Sequence, residues 1–188
     1  MLFRSAAVIA VDIPIGLPTV GERRADTAAR ALLGRGASSV FLTPPRQVLE
    51  AETYREARAV AQRLGGPGVS SQSYALRAKI LEVEPIASTD RRLYEVHPEL
   101  SFRAMAGRAI PASKKTWNGL QQRRRLLEGA GIRLPDEAGE AGRRASPDDL
   151  LDAAAAAWSA IRIGSGQGRS LPDPPERGGD DRPMAIWF

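Results

Sequence analysis

The sequence predicts a single α/β domain. Its 188 residues are 43% hydrophobic, which is enough to build one core of ordinary size. The apolar run AAVIAV over residues 6–11 ends at Asp12 and is followed by proline and glycine. Such a run is typical of a strand buried on both faces, so we predict a central parallel strand. Alanines and leucines at helical spacing over residues 23–33, closed by Gly34, predict a helix after it.

The middle of the chain alternates helical and extended patterns. We predict helices over residues 47–64 and 72–83, separated by the break Gly65-Gly66-Pro67-Gly68. The segment RLYEVH over residues 92–97 alternates and is rich in strand-forming residues, so we predict a second strand there. A short helix over residues 99–105 should follow it.

The last third begins with a basic amphipathic pattern that predicts a helix over residues 115–130 and a charged loop over 134–146. Ser146 as N-cap and Pro147 in the first helical position predict a further helix to about Ile161. The Gly- and Pro-rich residues 164–183 favour an exposed or mobile loop, and the terminal MAIWF favours an edge strand. We therefore assign residues 1–163 to the folded domain and 164–188 to a flexible segment with a terminal edge strand.

Composition excludes several classes of site. The chain has no cysteine, which rules out disulfides, thiolate metal sites and a cysteine nucleophile. A single histidine rules out zinc sites built from several imidazoles. The stretch GSGQG at residues 164–168 lacks the Lys-Ser/Thr ending of a phosphate loop, so we interpret it as linker. No apolar stretch approaches the roughly 20 residues of a membrane span, and we expect a soluble, cytoplasmic protein without a membrane partner.

Positive charge is concentrated in one segment. The formal net charge is +5, and the residues between Ser113 and Arg133 carry six bases against Glu128 alone. A basic stripe of this kind could bind phosphate backbones through counterion release, although helix faces are often basic merely for solubility. The candidate substrate-binding residues within it are Lys114, Lys115, Arg123, Arg124 and Arg125.

Acidic residues occur where the predicted strands end. Ligands bind beyond the carboxyl ends of strands in open α/β sheets, which favours a functional role for Asp12, although an aspartate before proline and glycine is also a common turn former. Strand alternation places Glu95 and His97 on one face, and Glu99 can bend back toward them. A lone histidine is more often structural than catalytic, but its two acidic neighbours favour a site.

A third acidic group lies at the start of the last predicted helix. Asp148 and Asp149 suit the positive end of the helix dipole and need no functional explanation. Asp152 shares their helix face and precedes the small run Ala153–Ala157, which would allow close packing. We predict that Asp152 approaches Asp12, with a divalent cation relieving their repulsion. Hard oxygen ligands suit Mg²⁺ or Mn²⁺, and two such ions can drive phosphodiester hydrolysis.

Six blocks in this order resemble a known family: VDIPIGLP, SSVFLTPPR, SYALRAKILEV, YEVHPELSF, SKKTWNGLQQRRRLL and DDLLDAAAAA, which together span about residues 8–162. They are similar to the domain of unknown function 429 family, a group of predicted nucleases with a ribonuclease H-like fold. The resemblance implies a ribonuclease H-like sheet flanked by helices and a metal-dependent nuclease. It implies metal ligands at Asp12, Glu95, Glu99, Asp149 and Asp152, and a catalytic group of Asp12, Glu95, His97 and Asp152.

One departure from the family pattern affects the expected activity. Such proteins ordinarily begin with a strand bearing a Gly-x-Asp element, whereas Met1 lies only eleven residues before Asp12. The resemblance therefore implies an N-terminally incomplete sheet, no first metal-binding aspartate, and little or no nuclease activity in this form. A non-catalytic nucleic-acid-binding module of the same fold is the alternative. A nucleotide-binding phosphotransferase of related topology is weaker, because no convincing phosphate loop is present.

Overall fold

A computed structural model describes residues 5–66, 68–178 and 182–188 of the chain. It confirms the α/β class, with two small sheets and flanking helices. The strands are β1 (Ile9–Val11), β2 (Leu93–Glu95), β3 (Ser170–Arg177) and β4 (Pro183–Trp187). The helices are α1 (Arg24–Leu33), α2 (Arg46–Leu49), α3 (Tyr54–Arg63), α4 (Ser71–Ala75), α5 (Arg77–Thr89), α6 (Pro98–Ala106), α7 (Trp117–Gly129), α8 (Gly139–Arg144) and α9 (Pro147–Gly164), with a 3-10 helix at Gly34–Ser39.

The strands form two pairs that meet at one bridge. β1 and β2 are parallel, with Ile9 opposite Leu93, and β3 and β4 are antiparallel. A parallel bridge between Val96 and Trp187 connects the end of β2 to β4. Because β1 and β2 run in the same direction, the residues that follow both strands emerge at the same edge of the sheet.

Two strand predictions need correction. The run over residues 6–11 was expected to be central, but β1 has β2 as its single strand partner among the described residues, and α9 packs against it. The packing of α9 against β1 supplies burial that a second neighbouring strand would otherwise have provided. The loop predicted over residues 164–183 is wrong over β3, where backbone pairing with β4 outweighs a composition rich in proline and charge. Residues 179–181 of that prediction lie outside the described ranges.

The terminal segment MAIWF forms a strand as predicted, but it is not an edge. β4 has β3 on one side and the bridge from the end of β2 on the other. Its side chains are largely buried, including Met184, Ala185 and Ile186.

Two predicted helices are each split in the structure. The helix predicted over residues 47–64 is α2 and α3, because Thr53 starts a new helix through a capping box with Glu56. The helix predicted over residues 72–83 is α4 and α5, which meet at Leu76. The charged loop predicted over residues 134–146 also contains the short helix α8.

The remaining helix predictions are confirmed with small shifts in their ends. α1 ends at Gly34 and α9 starts after the Ser146 cap, as expected. α7 starts after the Thr116 cap, so Lys114 and Lys115 precede the basic helix instead of lying on it. No described helix has both the length and the apolar character needed to cross a membrane.

The core consists of several apolar clusters between helices and sheet. α6, α7 and α9 meet around Phe102, Leu127 and Ala155, all fully buried. The small residues of α9 thus allow the close packing that the sequence predicted. α1 packs on β4 and α6 through Ala25, Ala29, Leu100, Ile186 and Phe188.

A buried arginine links this core to the strand ends. Arg23 is 1% exposed, and its Nη2 lies 2.5 Å from Asp26 Oδ1 and 2.7 Å from Glu95 Oε1. Its Nη1 donates to Glu95 Oε2 at 2.8 Å and to the carbonyl oxygens of Ile15 and Gly16 at 3.0 and 3.2 Å. We call Asp26, Arg23 and Glu95 the arginine triad.

The two carboxylates of the arginine triad also receive backbone hydrogen bonds. The Ile15 N–H donates to Glu95 at 2.7 Å, and the Thr43 N–H donates to Asp26 at 2.6 Å. Burial alone lowers the pKa of Arg23, but the two carboxylates outweigh it and raise that pKa, so the arginine stays cationic. The triad therefore holds together the loop after β1, the start of α1, the end of β2 and the loop before α2.

Replacing Arg23 with Met should destabilise the fold, because Asp26 and Glu95 would remain buried without their cationic partner. We expect the free energy of unfolding to fall by about 3–5 kcal/mol, measured by urea denaturation. Arg24→Met is the matched control, since Arg24 is the exposed neighbour, and it should change stability by less than about 0.5 kcal/mol. Equal effects of the two substitutions would contradict a structural role for the triad.

Candidate functional site

A cleft of about 390 Å³ opens where β1 and β2 end. Its wall combines the loop after β1, the 3-10 helix and the loop before α2, a part of α5, the start of α6, the turn before α7, and α9. The position agrees with the general rule that ligands of α/β sheets bind beyond the carboxyl ends of parallel strands.

Most of the predicted site residues line this cleft. Asp12 and Asp152, which the sequence places far apart, are close enough for the charge of Asp152 to raise the pKa of Asp12. The two acids therefore share one cleft, although the sequence separates them by 140 residues. The other predicted residues in the wall are Glu95, His97, Glu99, Lys114 and Asp149.

The cleft contains more acidic than basic residues, whereas the whole chain has a positive net charge. The chain carries +5, yet the lining contains six acids and three bases: Asp12, Asp26, Glu95, Glu99, Asp149 and Asp152 against Arg23, Lys79 and Lys114. A concave surface with an excess of negative charge concentrates cations.

Glu95 and Glu99, both predicted as metal ligands, are engaged in internal ion pairs. Both oxygens of Glu95 contact Arg23. Burial raises the pKa of Glu95 and the arginine opposes that rise; we regard the pair as ionised because Arg23 stays cationic. Glu99 binds Arg123 in the same two-pronged way, at 3.0 Å through Nε and 2.7 Å through Nη2. These two carboxylates hold arginines in place and have no oxygen free of such a contact.

Asp149, a third predicted ligand, caps its own helix. Its carboxylate accepts from the backbone N–H of Ser146 at 3.0 Å and from the Ser146 hydroxyl at 2.7 Å, and these bonds lower the pKa of Asp149. Asp148 contacts Lys115, and hydrogen bonds from Lys115 and Ser146 lower the pKa of Asp148 to about 2. Both acids of the first helical turn thus have structural partners, as the helix-dipole interpretation expected.

Asp152 has one engaged oxygen and one without a partner. Its Oδ2 accepts from Lys114 Nζ at 2.6 Å, whereas Oδ1 is buried and has no hydrogen-bond partner. Burial raises the pKa of Asp152, and Lys114 opposes the rise. For Lys114, burial lowers the pKa, but the contact with Asp152 outweighs it and raises that pKa.

Asp12 lines the same cleft as this pair. The residue stays open to solvent on one side, yet the surrounding protein limits its hydration, and this burial raises its pKa. His97 and Lys114 act against the rise, and Asp152 adds to it. A carboxylate in such a place gains from any additional positive charge brought beside it.

His97 presents a ring nitrogen without a partner. Its Nε2 lies 3.2 Å from the carbonyl oxygen of Ser39, and because a carbonyl only accepts, Nε2 is the donor. In the neutral ring, Nδ1 is then an acceptor, and this atom is buried with no hydrogen-bond partner. The contact with the Ser39 carbonyl therefore makes Nδ1 the nitrogen of His97 that can take up a proton.

Thr43 and Lys79 are wall residues that the sequence interpretation missed. Thr43 is 2% exposed and its Oγ1 has no hydrogen-bond partner. Lys79 reaches the wall from α5 and forms no ion pair with any described residue. The block SSVFLTPPR had marked the threonine only as part of a family pattern, and nothing in its residue type distinguishes it from any other loop threonine.

The predicted basic stripe is largely neutralised within the fold. Lys114, Lys115 and Arg123 bind acids, as described above, and Arg124 contacts Glu128 at 3.2 Å and Asp136 at 3.0 Å. Arg125 is exposed and is the one member of the predicted set without an acidic partner among the described residues. Charge counted along the sequence therefore overstates the positive surface available to a phosphate backbone.

Few of the predicted metal ligands are therefore available to bind an ion. In the part of the chain that the structure describes, no group of three or more histidines, cysteines or acids could hold a metal ion. Asp12 and Asp152 are the predicted ligands not committed to an arginine or a helix cap. Mg²⁺ is commonly bound by one or two carboxylates together with water and substrate phosphate, and these two acids are the predicted ligands that remain available for such an ion.

Comparisons with known proteins place the chain in a family without a described activity. No curated protein matches it, and no solved structure matches it. The sequence profile described as protein of unknown function (DUF429) matches residues 2–177. Since this covers most of the chain, the protein belongs to the DUF429 family.

Proposed function

We propose that the cleft hydrolyses phosphodiester bonds of nucleic acid, contrary to the little or no activity expected from the departure from the family pattern, with the help of one Mg²⁺ or Mn²⁺ ion held between Asp12 and Asp152. The observation that carries this proposal is the pairing of a strand-end carboxylate with a helix carboxylate in an acidic cleft, where Asp152 Oδ1 has no protein partner. Burial raises the pKa of both carboxyl groups, and neighbouring carboxylates add to the rise, which Lys114 opposes.

Residues in the cleft wall would supply the groups needed for the reaction. A bound divalent cation would polarise a phosphoryl oxygen and lower the pKa of its bound water. Asp12 and Asp152 hold the ion in their deprotonated forms, so the affinity for metal should rise with pH. His97 lines the same cleft and would orient the attacking water or the phosphate.

The same wall offers contacts for the phosphate. Lys79 is a cation without an acidic partner among the described residues, and Thr43 carries an unsatisfied hydroxyl. Lysine binds phosphate as a point charge, and a hydroxyl can donate to a phosphate oxygen. A volume of about 390 Å³ lies near the lower end for ligand pockets, which favours a single-stranded end or a nucleotide-sized ester over a duplex.

Hydrolysis should require Mn²⁺ or Mg²⁺ and both carboxylates. Asp12→Asn and Asp152→Asn should each lower the rate on a single-stranded oligonucleotide by at least about 100-fold, since supporting residues of metal sites already cost 10–100-fold. The pKa values of Asp12 and Asp152 are raised, so protons compete with the metal for these carboxylates up to a higher pH. Mn²⁺ affinity should therefore still increase above pH 3.8, the ordinary pKa of aspartate. Cleavage products resolved on a gel and Mn²⁺ titration measure the two effects.

Asp173→Asn is the matched control for these variants, because Asp173 is an exposed aspartate on β3, outside the cleft wall. It should leave both rate and metal affinity unchanged. Absence of cleavage of single-stranded, duplex and hybrid substrates with either metal would contradict the proposal, as would activity that survives both cleft substitutions together.

Two observations favour the alternative of a non-catalytic nucleic-acid-binding module. An internal ammonium already contacts Asp152, and the described residues contain no three-ligand group. Nucleic acid would then bind to the surface of α7, where Arg125 is without an acidic partner among the described residues.

For such a module, Arg125→Gln should reduce the slope of log affinity against log salt by about 0.7–0.9, the value of one phosphate contact. Arg124→Gln is the control, since Arg124 is paired with Glu128 and Asp136, and its effect should be smaller. Fluorescence anisotropy with a labelled oligonucleotide measures both slopes. Equal slopes in all three proteins would exclude this surface.

A further inference from the structure

Two adjacent lysines contact two acids of α9 in different ways. Lys114 Nζ lies 2.6 Å from Asp152 Oδ2 and 3.9 Å from Asp148 Oδ2, and its side chain is 32% exposed. Lys115 binds Asp148 alone among the described acids, and its side chain is 69% exposed. Lys114 lines the cleft, whereas Lys115 does not.

We propose that the Lys114 ammonium occupies the cation position at Asp152, and that a divalent ion enters this position only by displacing it. The inference rests on the proposed function for the identity of the entering ion. It assigns Lys114 as an internal competitor for the metal, a role that neither the sequence pattern nor the family description suggests.

The competition follows from the charges at the acidic pair. Asp152 has one oxygen on Lys114 and one without a partner, so an ion that bridges toward Asp12 would stand beside the ammonium. Two cations a few ångströms apart repel each other strongly where hydration is limited. One of the two cations must therefore leave. The ammonium is the one that can move away from Asp152, because it is carried on a long side chain in the turn before α7, whereas Asp152 is fixed on a long helix.

The displaced lysine has an alternative position. Asp148 lies 3.9 Å from its Nζ, and the cleft beside it is where a substrate phosphate would bind. A released Lys114 would then contact phosphate, as lysines do in many phosphate sites. Metal and phosphate should therefore each strengthen the binding of the other by the same factor.

The decisive measurement is Mn²⁺ affinity of the full chain, obtained from the electron paramagnetic resonance signal of free Mn²⁺. Lys114→Gln should raise the affinity about tenfold, because a charge-assisted hydrogen bond no longer has to be broken. Lys115→Gln is the matched control, with the same change of charge one residue away, and should raise it less than about twofold. A merely structural role of Lys114 would lower the affinity or leave it unchanged, and either result would overturn the inference.

A second measurement uses the unaltered protein and does not depend on the folding of a variant. Amine-selective labelling followed by mass spectrometry compares the reactivity of Lys114 with that of Lys115 as an internal reference. Saturating Mn²⁺ should increase the ratio of Lys114 to Lys115 labelling, because the displaced ammonium leaves its carboxylate. A ratio that does not change with bound Mn²⁺ would overturn the displacement.

Two further variants separate this inference from the proposed function. If Mn²⁺ binds and Asp12→Asn or Asp152→Asn weakens it, but Lys114→Gln does not strengthen it, the inference alone is wrong. If Mn²⁺ binds none of the proteins, or binds regardless of both aspartates, the proposed metal site is wrong and the inference falls with it. Strengthened binding in Lys114→Gln that Asp152→Asn abolishes supports both.

Discussion

The arginine triad is the constraint on which the rest of the site depends. Burying a guanidinium between two carboxylates carries a large desolvation cost, which is offset only when each charge is closely matched, as it is here by short side-chain and backbone hydrogen bonds. Asp12 precedes the tethered Ile15 by three residues, and His97 follows Glu95 by two. Fixing Ile15 and Glu95 therefore fixes the backbone from which both site residues extend.

Three acids of the cleft, Glu95, Glu99 and Asp152, differ in the type of base that each one contacts. Glu95 and Glu99 face arginines, whose planar guanidinium groups bind both carboxylate oxygens at once. Asp152, and Asp148 outside the cleft wall, contact lysines, which bind as point charges on flexible stems. The two-pronged arginine pairs suit permanent structural contacts, while a single lysine contact can be exchanged for another cation. This division is why we place the chemistry at Asp12 and Asp152 and the scaffold at Glu95 and Glu99.

Membership in the DUF429 family establishes descent but not chemistry, because one fold can carry many activities and the site decides among them. The cleft differs from the simple expectation of five ligands around two ions. Its acidity is mostly balanced by internal bases, and what remains is one pair of carboxylates, one histidine acceptor and one lysine without an acidic partner among the described residues. In the function we propose, the substrate phosphate would complete the coordination of the cation, which would link catalysis to substrate binding.

The sequence by itself determined the α/β class, the positions of β1, α1, α6, α7 and α9, and part of the residues that line the cleft. These features depend on local signals: apolar runs, helix caps and acids at strand ends. Tertiary structure alone decided which of those residues are available, because Arg23 and Arg123 carry no signal of their partners 72 and 24 residues away. It likewise decided that β3 forms within a Pro-rich segment, and that Thr43 and Lys79 reach the cleft, since both outcomes depend on contacts between distant parts of the chain.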